Sequence, residues 1–222
     1  ADIRIDGAGK KVTRSDNCRV SDLSVSSDNL TFTYEAKSLP YPIDTSYYDN
    51  EKHTQADALS VIPFMDEMNY EGLSVSGLSD GYYGLTIGGE FIGRFTAREL
   101  ERGINMALLQ NTPQYKQAMK IRQMNEERWL KERKMREFYW VEYNLMRKTG
   151  MLWACNEAAV DTLRKYRPHD IFLQWNGDLW LQYMHKGIRE DCVNEQQDLV
   201  NRIYEQNKPI PLRIEIKKFT DL

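Results

Sequence analysis

Three histidines, His53, His169 and His185, and three cysteines, Cys18, Cys155 and Cys192, bound the acid–base, nucleophilic and metal chemistry open to this 222-residue chain. No histidine belongs to an HxxxH or HExxH spacing and no CxxC occurs, so neither a zinc centre nor a redox dithiol is indicated. His53 lies in a polar loop and reads as exposed, and His185 near Gly187 reads as a cation at a helix C-terminus. In RPHDIF, Asp170 reads as a helix cap rather than as a partner of the adjacent His169. There is no GxSxG elbow to present a serine for attack. Glycines 81, 84, 88, 89 and 93 suggest a phosphate loop, yet no lysine follows them, and turn chemistry explains them better. Carboxylates recur at helical salt-bridge spacing, which singles out no acid–base pair. No catalytic, cofactor-binding or metal-ligating residue is assigned, and no cofactor. Cys155 and Cys192 either pair or remain free thiols, since cysteine packs as a small apolar residue.

Two aromatic groups are candidates for contact rather than catalysis. In QWNGDLWLQY, Trp175, Trp180 and Tyr183 either stack on a sugar, meet a protein partner or fill an aromatic core. In RQMNEERWLKERKMRE, Trp129 and Leu130 stand among ten charged residues. Pairs such as Glu127 with Lys131 and Glu132 with Arg136 support a solvated helix face there, or the two apolar residues form a thin seam against another domain or subunit.

The elements that must position these residues change in character near residue 96. Before it the apolar pattern has period two: Val20, Leu23 and Val25 in one stretch, then Leu30, Phe32 and Tyr34 inward against outward threonines. A long connection from Leu39 to Asp57 follows, held extended by Pro40 and Pro42. LSVSGL and a hairpin from Tyr82 to Phe95, turning at Gly88-Gly89, complete the β-rich part. Thr96 and Glu99 then form a capping box, and Thr112-Pro113 opens a second helix with no Gly or Pro before Gly150, about 55 Å at 1.5 Å per residue. A capped helix from Asn156 ends at Pro168. IREDCVNEQQDLVNRIYEQNKP reads as an amphipathic helix with Cys192, Leu199, Ile203 and Tyr204 toward a core. Leu212, Ile214 and Ile216 alternate in a last strand. The expectation is an α+β fold: a small antiparallel sheet or sandwich over residues 1–95, a helical region over 96–222 with one long helix, and a strand at 211–219 that returns to the sheet.

With 41% hydrophobic and 28% charged residues the chain is globular in composition, and a net charge of -3 gives no basic field for nucleic acid. No apolar run approaches the ~18 residues of a membrane span. The chain opens directly into ADIRIDG without a signal-peptide pattern, as a mature product or a fragment would.

The stretch from LPYPID through SVIPFMDEMNYEGLSVSGLSDGYYGLTIGGEFIGRFTARELERGINMALLQNTPQYKQA resembles the C-terminal region of a bacterial subgroup of SGNH/GDSL-family hydrolases. There a Pro-rich lead-in, a GxYxLxIDGxxxG hairpin, a helix beginning T/SAEEL and a GINLA…NTPQ turn follow the esterase domain. This chain has GYYGLTIGGEFIG, TAREL and GINMALLQNTPQ, with Gly88 where Asp is common and Arg98 where an acidic residue is common. The family's Gly-Asp-Ser, oxyanion and Asp-x-x-His blocks have no counterpart, and NGDLW, from Asn176 to Trp180, has leucine in place of the serine. The resemblance therefore implies a non-catalytic accessory region of a serine esterase or lipase acting on acyl or acetyl esters. It would pack on the upstream catalytic domain or mediate dimerisation with a second subunit, in a periplasmic or secreted setting, and the parent's substrate would include carbohydrate esters. A carbohydrate-binding module using Trp175, Trp180 and Tyr183, or an independent interaction protein using Trp129 and Leu130, are the alternatives.

Overall fold

A computed structural model describes residues 1–45 and 54–219, so His53 and the middle of the long connection lie outside the described residues. The chain divides into two compact units, Ala1–Arg122 with Gln206–Leu222, and Gln123–Glu205.

The first unit holds strands β1 (Asp2–Asp6), β2 (Lys11–Asp16), β3 (Cys18–Val25) and β4 (Asn29–Ala36), helix α1 (Phe64–Glu67), strands β5 (Gly72–Ser76), β6 (Tyr82–Ile87) and β7 (Glu90–Thr96), helix α2 (Ala97–Arg102), the short β8 (Ile104–Asn105) and the late strand β9 (Leu212–Lys218). They build two sheets, ordered β2-β1-β5-β8 and β3-β4-β9-β6-β7. Every pairing is antiparallel except that of β1 with β5. The alternation read at Leu30, Phe32 and Tyr34 is that of a strand with one buried face, and all three side chains are buried. The last strand returns to the sheet as a central member. Ile214 lies between Phe32 of β4 and Ile87 of β6, and Ile216 between Leu30 and Leu85. Ile3, Ile5, Leu73 and Val75 of the other sheet join the same hydrophobic cluster. Each such side chain contributes ~1.5–3 kcal/mol by burial, so β9 is held by its inner face as much as by its two ladders.

Local chemistry fixes the turns. Gly88 and Gly89 have φ of 59° and 86°, the left-handed pair that a two-residue hairpin turn requires. At Thr96 the hydroxyl accepts from the Glu99 amide at 3.1 Å while the Glu99 carboxylate accepts from the Thr96 amide at 2.7 Å. The chain thus passes from β7 into α2 through a complete capping box.

Four further helices follow: α3 (Pro113–Val141), α4 (Glu157–Tyr166), α5 (Ile171–Tyr183) and α6 (Lys186–Gln206). The Thr112 hydroxyl accepts from the Tyr115 amide at 3.3 Å, and Pro113 takes the first helical position. The α-helical part of α3 has 29 residues, or about 44 Å, shorter than the expected run to Gly150. Its ladder widens into a π turn at Glu142–Met146, where Glu142, Leu145 and Met146 are all buried. An α-helix would already set residues 142, 145 and 146 on one face; the wider turn adds an i→i+5 bond, the Arg147 amide donating to the Glu142 carbonyl at 2.8 Å. In the polar middle of α3 the expected pairs are long, Lys131–Glu127 at 4.0 Å and Arg136–Glu132 at 3.8 Å. Closer contacts are Arg133–Glu137 at 2.7 Å and Lys131–Glu195 at 2.6 Å, the latter reaching α6.

Phe138, Val141, Met146, Leu163, Trp180 and Cys192 belong to the core of the second unit. Tyr204 is not part of it, being 74% exposed. It follows Leu199 by five residues, which rotates it about 140° away from the buried stripe of α6. All three cysteines are free, Cys155 exposed and Cys192 buried. Among the described residues no helix is long and apolar enough to cross a membrane.

Candidate functional site

The described histidines sit where local structure places them. Asp170 caps α5, its carboxylate accepting from the amides of Phe172 at 2.8 Å and Leu173 at 3.2 Å, and His169 ends the preceding 3-10 turn. His185 stands between α5 and α6, and its Nδ1 lies 3.3 Å from the Cys155 sulfur. Thirty residues separate this pair in sequence, so spacing alone did not reveal it. Among the described residues no three His, Cys, Asp or Glu side chains are grouped to hold a metal.

In the first unit, the residues of the sequence motifs meet in a buried polar network. The Glu71 carboxylate accepts from the Tyr34 hydroxyl at 2.6 Å and from the Gln114 amide at 3.2 Å. Burial holds the Glu71 carboxyl above the usual carboxylate range, opposed by those two hydrogen bonds. Burial first, then the neighbouring Glu71, pushes the Tyr34 phenol up as well. The Asn105 side chain accepts from the Glu71 amide at 2.9 Å and donates to the carbonyls of Met65 at 2.8 Å and Asn69 at 3.2 Å. Asn111 donates to the Ile92 carbonyl at 2.8 Å. Most of these polar groups answer one another, as burial demands, but the Gln114 side-chain oxygen is buried without a hydrogen-bond partner among the described residues. The GIN and NTPQ motifs are therefore hydrogen-bonding anchors of the first unit, joining β5, β7 and the start of α3.

The second unit has its own buried carboxylate. Glu142, in the π turn, accepts from the Trp180 indole and from the Trp153 amide, both at 2.8 Å. Trp153 adopts a φ of 61°, a left-handed conformation that costs a non-glycine residue about 1 kcal/mol or more and is held by this bond.

The aromatic residues singled out in the sequence divide between core and surface. Trp180 and Tyr183 are buried at 0% and 6% exposure, whereas Trp175 is 67% exposed. Burial, with the neighbouring Cys192 next, pushes the Tyr183 phenol up to about 12. Five residues on a helix turn Trp180 about 140° from Trp175, so the three could never have formed one platform. Trp129 and Leu130 are 43% and 51% exposed. Trp129 and Trp175 border a common groove of about 570 Å³ with Trp140, Phe172, Arg133 and Arg136, while Leu130 lies outside its lining. Sequence reading missed Trp140 and Phe172. The available signal was the recurrence of residues 129, 133, 136 and 140 on one face of α3.

Residues 119–208 match the family model described as the diltiazem deacetylase C-terminal helical domain. That span almost coincides with the second unit, Gln123–Glu205. The whole chain is similar to the solved structure of a gut microbial diltiazem-metabolizing enzyme, with 35% identity and a TM-score of 0.92, over 99% of this chain and 50% of that one. The chain thus spans half the length of that enzyme. No curated protein matches it.

Proposed function

We propose that this chain is the non-catalytic C-terminal accessory region of an ester hydrolase whose parent polypeptide removes acyl or acetyl groups with a serine nucleophile of the SGNH/GDSL kind. The observation that carries the reading is the similarity to half of a diltiazem-metabolizing enzyme, together with the deacetylase helical-domain match over residues 119–208. The motif resemblance of the β-rich part supports the finer assignment. In the parent, serine attack on the ester carbonyl would be assisted by a histidine and an oxyanion hole, all supplied by the upstream domain. The role of the present chain is to pack on that domain.

The test compares this chain with the same chain joined to the upstream half of its parent, using p-nitrophenyl acetate and diltiazem as acetyl esters. The joined protein is expected to release acetate, and the chain alone to give no more than the buffer rate. Turnover by the chain alone, abolished by a substitution within it, would overturn the reading.

A further inference from the structure

The groove of the second unit is a surface built from two helices in phase. Residues 129, 133, 136 and 140 are spaced by four, three and four, so Trp129, Arg133, Arg136 and Trp140 share one face of α3. Phe172 and Trp175 come from the first turns of α5, where Asp170 fixes the helix start. The Phe172 ring lies 5.2 Å from Trp140 at an interplanar angle of 35°, and 5.5 Å from Trp175 at 78°. Phe172 and Trp175 nevertheless keep 49% and 67% of their surface exposed. Large rings left in water beside one another, in a unit that has buried Trp180 completely, form the kind of apolar patch that marks a contact site.

The charges beside the rings narrow the occupant. Arg133 is held by Glu137 at 2.7 Å, but the Arg136 guanidinium has its nearest carboxylate, Glu132, at 3.8 Å and stands 5.7 Å over the Trp129 ring. Two arginines against one glutamate in the lining give the groove a positive balance, in a chain of net charge -3. Two cations are too few for phosphate-backbone binding, which rests on many neutralised phosphates. A planar guanidinium fork suits a carboxylate, and flat indole faces suit the C–H faces of a pyranose ring. Asn176 and Glu137, also in the lining, offer a donor and acceptors for hydroxyl groups. The volume falls in the ~300–1,000 Å³ range of ligand sites.

We propose that this groove binds a carboxylate-bearing oligosaccharide, its sugar rings stacked on Trp129 and Trp175 and its carboxylate on Arg136. The site is separate from the ester-hydrolysis reading, because binding is measured on the chain without any catalytic partner.

Trigalacturonate and sialyllactose serve as acidic probes, maltotriose as the neutral one, read by calorimetry and by tryptophan fluorescence. At least one acidic probe is expected to bind and to change the fluorescence, with affinity falling tenfold or more in Trp175→Ala and in Arg136→Gln. Tyr204→Ala, an exposed aromatic outside the groove, is expected to leave binding unchanged, and a thermal melt of each variant checks that it is folded. Absence of binding by both acidic probes overturns the proposal, as does maltotriose binding as tightly. Self-association of the wild-type chain that Trp175→Ala dissolves would make the groove an interface between copies, and would overturn it too.

Discussion

Glu71 is a carboxylic acid in a buried setting at odds with its charge. Its folded-state pKa is raised by burial, so the proton is favoured in the native state. The associated stability is present below the ordinary carboxylate pKa and is lost as pH rises through the raised value. Glu71→Gln removes the titration and keeps both partners, the new amide oxygen accepting from Gln114 and its NH₂ donating to Tyr34. The substitution is expected to raise the melting temperature at pH 8 and to lose that advantage at pH 4. A melting curve equally shifted at both values would show that Glu71 does not titrate across this window. Glu71 was not legible in the sequence, because its hydrogen-bond partners Tyr34 and Gln114 lie 37 and 43 positions away. Asp170 as a cap was legible, since a cap concerns residues two and three places on.

Elements with local causes followed the same division. The Gly88-Gly89 turn, the Thr96 capping box and the start of α3 at Pro113 could all be read directly, because a few neighbouring residues decide them. The split into two sheets and the parallel pairing of β1 with β5 could not, since 70 residues separate Asp2 from Gly72 and alternation does not name a partner. The π turn after Val141 was equally hidden, as its cause is the buried contact of Glu142 with Trp180 and Trp153. β9 offers the sharpest measurement at this scale. Ile214 has no exposed surface and faces both β4 and β6. Ile214→Ala is expected to cost ~2–5 kcal/mol in urea unfolding, whereas a loss below ~1 kcal/mol would contradict its central place.

For the molecule as a whole, the second unit has its own core of Phe138, Val141, Leu163 and Trp180, and a family model of its own length. A protein of residues 119–208 is therefore expected to be helical and to melt cooperatively, as monitored by circular dichroism and by the near-ultraviolet signal of its five tryptophans. A broad transition without that signal would mean that the helical unit cannot fold by itself. The groove is a property of this scale too. Its aromatic residues were partly visible in the sequence, but membership depended on the phase of α3 and α5, which separates Trp175 from Trp180 and Tyr183.

The central position of β9 also bears on biosynthesis. As the chain leaves the ribosome, β4 and β6 emerge long before residues 212–218, the strand that lies between them. Until then each presents an open edge of amides and carbonyls next to an apolar face, the configuration most prone to pairing with a foreign strand. Completion of this sheet must wait until all of α3 to α6 has been translated. Chaperone demand should therefore peak in that interval, and a stop codon placed just before Leu212 should yield inclusion bodies rather than a soluble truncated protein.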